Sequence, residues 1–377
     1  MKILYISHTH PPRDQPLENV GGMQSVSMQL VNALQRRKDV ELETIILRAP
    51  WRRIGLSTTA FLFGLLKRIP EGVRRFDPDV ILFSSMVTAG VVPFLRKSVQ
   101  VPLVSINHGQ DVTLPLSIYQ WYLPRVFNKL DGVISVSRAT REASVKRGMV
   151  PEKGVALPNG FDSRYARSLP DREEALKLLK EVLGFEPEDR KILLTVGRLV
   201  KRKGHSWFIR EVIPKLRTDA EYLVIGDGPE REELVMAKEQ SQCGNRITLA
   251  GRQPEEVLRA AYAASDLFVM PNIPVPGDME GFGIVLLEAN QAGMPAVASN
   301  LEGIRDVIRQ GVNGYRVPHE QPEEFAKKVD EVLEGDLKRF SVTARMHVEK
   351  HFSWDRVAAR YLDFLREVSA HRTVSDK

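Results

Sequence analysis

Short runs rich in Ile, Leu and Val alternate with longer segments of helical period along the chain, and the alternation occurs twice. Apolar strands separated by helices are what a parallel sheet covered on both faces requires. In the first half the pattern predicts strands at Ile3 to Ser7, Glu43 to Leu47, Val80 to Ser84, Leu103 to Asn107, Val133 to Val136 and Val155 to Leu157. In the second half it predicts them at Ile192 to Val196, Tyr222 to Ile225, Ile247 to Leu249, Leu267 to Met270 and Ala296 to Ala298. From Phe161 to Arg190, Asp, Arg, Glu and Pro displace the apolar runs, which marks a joint. The reading is α/β, with two doubly wound, Rossmann-like domains, 1–165 and 166–353, facing a central cleft beyond the carboxyl ends of their strands. An amphipathic helix, Trp354 to Val368, closes the pattern.

Composition narrows the class. The chain has 377 residues, too many for one ordinary core, and its charged fraction of 27% is that of a globular protein. The single cysteine, Cys243, allows no internal disulfide and suits a reducing compartment. The uncharged run Val80 to Leu95 is 16 residues and contains Ser84, Ser85 and Pro93. It falls short of the about 18 residues a membrane span needs. Met1 to Ile6 reads as a first strand and not as a signal peptide, and the expected location is cytoplasmic. Charge is uneven: residues 1–165 carry 22 Lys and Arg against 13 Asp and Glu, a net of +9, while the remainder carries 32 against 35, a net of −3. The basic half suits an anionic surface or acceptor. Nucleic acid is not an expected partner, because neither an aromatic platform nor zinc-ligand spacing accompanies the charge.

The stretch Asp278 to Glu288, Asp-Met-Glu-Gly-Phe-Gly-Ile-Val-Leu-Leu-Glu, carries the densest chemistry. It follows a strand and a loop rich in Pro and Gly. Gly281 and Gly283 flank Phe282 where a helix is expected to begin, and a glycine-rich helix start leaves main-chain N–H groups to face an anion such as a phosphate. Glu280 precedes that helix and Glu288 lies within it. They read either as a capping carboxylate and a solvated helix residue, or as acids gripping sugar and ribose hydroxyls. Gly21 and Gly22 open a helix with Val26, Leu30 and Leu34 on its apolar face, either as an ordinary turn or as a close approach to a diphosphate. Gly197-Arg198-Leu199 follows a strand and leads to Lys201, Arg202, Lys203 and Gly204. Lys201 and Arg202 read as a solvated basic turn. His108 ends a strand in His-Gly-Gln-Asp, as a structural histidine or a catalytic one.

Glu-Gly-Phe-Gly followed by four residues and Glu resembles the donor-site signature of retaining nucleotide-sugar glycosyltransferases of family 4. Gly-Arg, four residues, Lys-Gly resembles that family's diphosphate-binding pair, Arg198 and Lys203. Asn159-Gly160-Phe161-Asp162 is similar to its hinge motif Asn-Gly-Val-Asp, with Phe161 a departure. The resemblance covers nearly the whole chain. It implies the GT-B fold, with the first domain on the acceptor side, the second binding the donor, and the helix at about 354–377 packing back on the first. It also implies a hexosyltransferase moving a sugar from a nucleotide diphosphate sugar to a hydroxyl acceptor with retention, in glycolipid or surface polysaccharide synthesis. Donor contacts fall to Gly22, Arg198, Lys203, Gly226, Glu280, Gly281, Phe282, Gly283, Ile284 and Glu288. Tyr262, Pro271 and Asn272 come near the base, and the insert Ile273 to Asp278 adjusts the donor pocket. His108, Glu280, Arg198 and Lys203 serve the reaction and Asp111 the acceptor. No cofactor and no metal is expected, since no Asp-Xaa-Asp stands at a strand end and the two cations would take a divalent ion's place.

The stretch from Trp51-Arg52-Arg53 through the apolar run Ile54 to Leu66 to Lys67-Arg68 and Arg74-Arg75 reads as a covering helix or as a peripheral membrane contact at the inner face. Two other functions share the motifs. A nucleotide-sugar epimerase would need an acid and a base across its cleft and would form product without an acceptor. A binding protein without turnover would have little reason to keep all four of Glu280, Glu288, Arg198 and Lys203.

Overall fold

The computed structural model describes residues 1–11, 22–49, 54–162 and 169–375. The chain forms two compact units, Met1–Gly160 with Ser353–Lys377, and Phe161–Phe352. Residues 12–21, including Gly21, and Trp51, Arg52 and Arg53 lie outside the described residues.

The first unit holds β1 (Lys2–His10), β2 (Glu41–Arg48), β3 (Val80–Phe83), β4 (Leu103–Asn107), β5 (Gly132–Ser135) and β6 (Gly154–Ala156) in one sheet of order β2-β1-β3-β4-β5-β6. Every pairing is parallel; Ile3 lies against Val80 and Asn107 against Ser135. All six strands fall where the apolar runs place them. β3, β4 and β5 are buried along their whole length, so both faces are covered and the strands read as unbroken apolar runs. The chain leaves β1 to one side for β2 and then crosses to the other for β3, which makes β1/β3 the point where strand order reverses.

The helix Trp354–Ser375 belongs to this unit. Val357, Ala358, Tyr361, Leu362 and Leu365 form its buried stripe. The Trp354 indole donates to Gln29 Oε1 at 2.6 Å, and its ring lies where a Cβ on Gly160 would come within 2.3 Å of it. The Asn-Gly of the hinge motif therefore needs its glycine to admit this ring.

The second unit holds β7 (Lys191–Val196), β8 (Ala220–Ile225), β9 (Ile247–Gly251), β10 (Leu267–Met270), β11 (Ala296–Ser299) and β12 (Gly314–Val317), again all parallel, in the order β12-β11-β10-β7-β8-β9. Its core centres on Phe208, which packs against Tyr222 and Phe325 with ring centroids 4.9 and 5.6 Å apart. The edge strand β12 goes beyond the five predicted. It is four residues long, opens on Gly314 and carries Arg316, so it offers no apolar run to read. Gly314 is required there, because a Cβ would lie 2.4 Å from the Ala296 carbonyl oxygen. Strand order reverses between β7 and β10. Loops leaving that point diverge, and ligands in such sheets bind there.

Candidate active site

The loop after β7 meets those after β8 and β10 through glycines. Gly197 and Gly226 have φ of +149° and +152°, and a Cβ on Gly226 would lie 1.8 Å from the Gly197 carbonyl oxygen. Gly226 thus serves the packing of two strand-end turns. Gly204, at φ +65°, lies against Pro271, whose carbonyl oxygen would be 2.0 Å from a Cβ. The Ile273 N–H donates to the Arg202 carbonyl at 3.0 Å, completing the join.

This join brings Lys203 to Glu280. Lys203 Nζ lies 2.6 Å from Glu280 Oε2, Arg202 Nη1 2.5 Å from the same oxygen, and Asn272 Nδ2 donates to it at 3.2 Å. Lys203, Asn272 and Glu280 are buried. Burial by itself raises the Glu280 pKa, but the Lys203 and Arg202 charges outweigh it and hold the carboxyl down at about 2. Three donors on one oxygen fix the side chain.

The expectation of a solvated basic turn at Lys201 and Arg202 is corrected for one of the two. Lys201 is exposed, whereas the Arg202 side chain keeps only 12% of its surface in solvent and pairs with Asp278 Oδ1 at 2.9 Å as well as with Glu280. The signal was available in Asp278 and Glu280, two acids after one strand that need more than one cation. Glu302 is a second residue that sequence reasoning missed. Its carboxylate accepts the Glu280 N–H at 2.5 Å, and it holds φ at +42°, uncommon for a residue with a side chain. Beside it, Gly303 packs so closely on the Gly281 peptide that a Cβ would lie 2.2 Å from the carbonyl oxygen.

The helix expected to begin at Phe282 begins at Ile284 and runs to Gln291, with Gly283 as its cap at φ +86°. Phe282 is buried with its ring edge-on to Phe352, centroids 6.1 Å apart, so only its main chain can face a ligand. Ile284 is half-buried on the first turn. Glu288, one turn further, is half-buried and accepts the Tyr262 hydroxyl at 2.8 Å; burial raises its pKa and that hydrogen bond lowers it in part. Arg198 is exposed, and its guanidinium has no hydrogen bond or ion pair among the described residues. The structure therefore joins Lys203 to Glu280, gives Glu288 a separate partner and leaves Arg198 without one.

The remaining candidates belong to the first unit. Gly22 is exposed at the start of the helix Gly22–Gln35. His108 follows β4 and donates from Nε2 to the Ser84 carbonyl, at 2.8 Å, after β3; in the neutral ring this leaves Nδ1 as an acceptor. The Asp111 oxygens accept main-chain N–H groups of His108 at 2.8 Å and Met86 at 3.0 Å, so this carboxylate ties the loops after β3 and β4 together. His8, near the carboxyl end of β1, is buried with Nδ1 unpartnered, and burial followed by the His108 charge lowers its pKa to about 4. Among the described residues no three His, Cys, Asp or Glu side chains group so as to hold a metal ion.

The model for glycosyl transferases group 1 matches residues 181–346, and that for glycosyltransferase family 4 matches residues 20–165. The phosphatidyl-myo-inositol mannosyltransferase of Mycobacterium leprae is 30% identical over 91% of this chain and 92% of its own length. The chain is a family 4 glycosyltransferase. Another relative, the GDP-mannose-dependent alpha-(1-6)-phosphatidylinositol monomannoside mannosyltransferase of Mycolicibacterium smegmatis, is 27% identical over 96% of this chain and 98% of its own. Among solved structures, HepE of Anabaena in complex with UDP shares the fold with a TM-score of 0.76 at 19% identity, covering 97% of this chain and all of that one. As a member of family 4, the protein is a hexosyltransferase with two Rossmann-like sheets of the GT-B type.

Proposed function

We propose that this glycosyltransferase moves mannose from GDP-mannose to a hydroxyl of a lipid-carried acceptor, with retention at the anomeric carbon. The observation that carries the site assignment is the meeting of Lys203, Arg202 and Asn272 on one oxygen of Glu280, where strand order reverses between β7 and β10. Glu280 Oε1 makes no hydrogen bond among the described residues, so a fixed acceptor is left for sugar hydroxyls. Lys203 and the unpaired Arg198 neutralise the diphosphate, an interaction that strengthens as the leaving group's charge grows. Main-chain groups at Gly281 to Ile284 approach that diphosphate, and Glu288 takes the ribose. No divalent ion is required in this scheme.

The bond from C1 to the diphosphate breaks while the acceptor oxygen bonds C1 on the same face. The acceptor's proton passes to the departing phosphate oxygen, releasing GDP. In the first unit, Asp111 acts by holding the His108 loop, which leaves the other ring nitrogen of His108 as an acceptor. Mannose and guanosine are supported by the names of the full-length relatives. Incubation with GDP-mannose, UDP-glucose and ADP-glucose, each with and without EDTA, tests the donor. Mannosyl lipid formed from GDP-mannose alone and unaffected by EDTA is expected; transfer from UDP-glucose alone overturns the sugar, and β-linked product overturns retention. Product formed without acceptor would make it an epimerase.

A lipid-carried acceptor implies contact with the inner membrane face. Among the described residues no helix is long and apolar enough to cross a membrane. The helix Ile54–Phe76 leaves Leu56 and Phe63 83% and 72% exposed near Lys67 and Arg68, an arrangement that suits an anionic surface. Phe63→Ser is expected to lower sedimentation with phosphatidylglycerol vesicles several-fold; unchanged binding removes this helix from the contact.

A further inference from the structure

Arg202 precedes the lysine assigned to the diphosphate, yet its contacts are all to the loop after β10. Its carbonyl takes the Ile273 N–H at 3.0 Å, its Nε meets Asp278 at 2.9 Å and its Nη1 meets Glu280 at 2.5 Å. One residue therefore holds the segment 273–280 near both ends, by main chain at the start and by side chain at the finish. Arginine suits this place because a planar guanidinium spans two carboxylates with separate N–H groups and does not lose its proton, whereas a lysine ammonium is a single point of charge.

The charged groups around Glu280 are Lys203, Arg202, Asp278 and Glu302, two acids and two cations. An arriving diphosphate competes with Glu280 for Lys203. Were Lys203 the sole cation there, its departure would leave a buried carboxylate with Asn272 as its one donor, a situation that favours uptake of a proton or a swing of the side chain. Arg202 is anchored on Asp278 and stays.

We infer that Arg202, anchored by Asp278, is a positioning residue that keeps the Glu280 carboxylate aimed at the sugar when the diphosphate draws Lys203 away. This rests on the roles of Glu280 and Lys203 proposed above. It makes Arg202 act on the sugar end of the donor although it adjoins the phosphate lysine in sequence.

The test compares Arg202→Met, Arg202→Lys, Asp278→Asn and Glu280→Gln, measuring GDP and GDP-mannose affinity, kcat, and the pH profile of kcat/KM. Arg202→Met is expected to bind GDP within about twofold of the parent, to lose about tenfold in kcat, and to shift the acidic limb of kcat/KM about one pH unit upward. Arg202→Lys should recover part of the turnover, and Asp278→Asn should cost about threefold in the parent but nothing once Arg202 is gone. A residue that only stabilised the fold would lower the melting temperature and leave the acidic limb in place. Should Arg202→Met fail to fold, parental kcat and pH profile in both Arg202→Lys and Asp278→Asn overturn the inference. If Glu280→Gln abolishes transfer while Arg202→Met behaves as the parent, the inference falls and the reading of the site stands. If Glu280→Gln transfers mannose normally, the reading of the site itself has failed.

Discussion

Lys203 and Glu280 form a buried ion pair, and removing either partner leaves the other uncompensated, which typically costs about 3–5 kcal/mol in stability. Here Arg202 lessens that cost for Glu280, so Lys203→Ala is expected to fold and to lose about a hundredfold in kcat, with acceptor KM changed less than threefold. Parental turnover in that variant removes Lys203 from the leaving group. Glu280→Gln keeps the shape and two of the hydrogen-bond sites; it should damage transfer while free GDP binds nearly as before, and a collapse of GDP affinity would place this acid at the other end of the donor. At this scale the sequence was legible where spacing repeats a known signature, as for Lys203 and Glu280. It was not legible for Arg202, because a basic residue in a turn faces water unless acids from another loop enclose it. Glu302 was hidden for a similar reason: its role depends on a left-handed backbone and on a strand-end turn 22 positions earlier in the chain.

Elements were easier to read than partners. The central strands stand out because a strand buried on both faces must be apolar throughout; an edge strand need not be, and of the edges β2, β6 and β9 still carry Ile, Leu or Val runs to read, whereas β12 does not. Glycines carry the rest, and their meaning appears only when two loops are seen together. Gly226 reads in sequence as a turn residue beside a nucleotide, yet its missing Cβ is what lets the β7 and β8 turns interleave. Gly226→Ala combines a φ of +152° with a clash against main chain, and is expected to cost at least about 3 kcal/mol. For a unit of this size that corresponds to a fall of roughly 6–12 °C in melting temperature. A drop below 2 °C would mean that the turns can separate without penalty.

Across the whole molecule, acid sensitivity is distributed over both units. Burial lowers the pKa of His8, His10 and His347 to about 4 and of His205 to about 3. The unfolded chain, with histidines near 6.5, binds more protons below that value, so stability rises with pH in this range and falls as pH drops from about 6.5. Glu221, Glu288 and Glu302, whose carboxyls burial raises, work in the opposite direction closer to 4.5. The melting temperature should therefore decline between pH 7 and 5.5 before the carboxylates protonate. A flat profile over that interval would show that the four imidazoles are open to water.

The first unit is split in sequence, since its sheet and first helices precede residue 160 while the stripe led by Val357, Tyr361 and Leu365 comes after residue 352. A ribosome making this protein has finished the second unit before the first can bury its last apolar face. A chain released after residue 352 would display the unfilled side of the first sheet to chaperones and proteases, while the second unit, whole by then, would resist them.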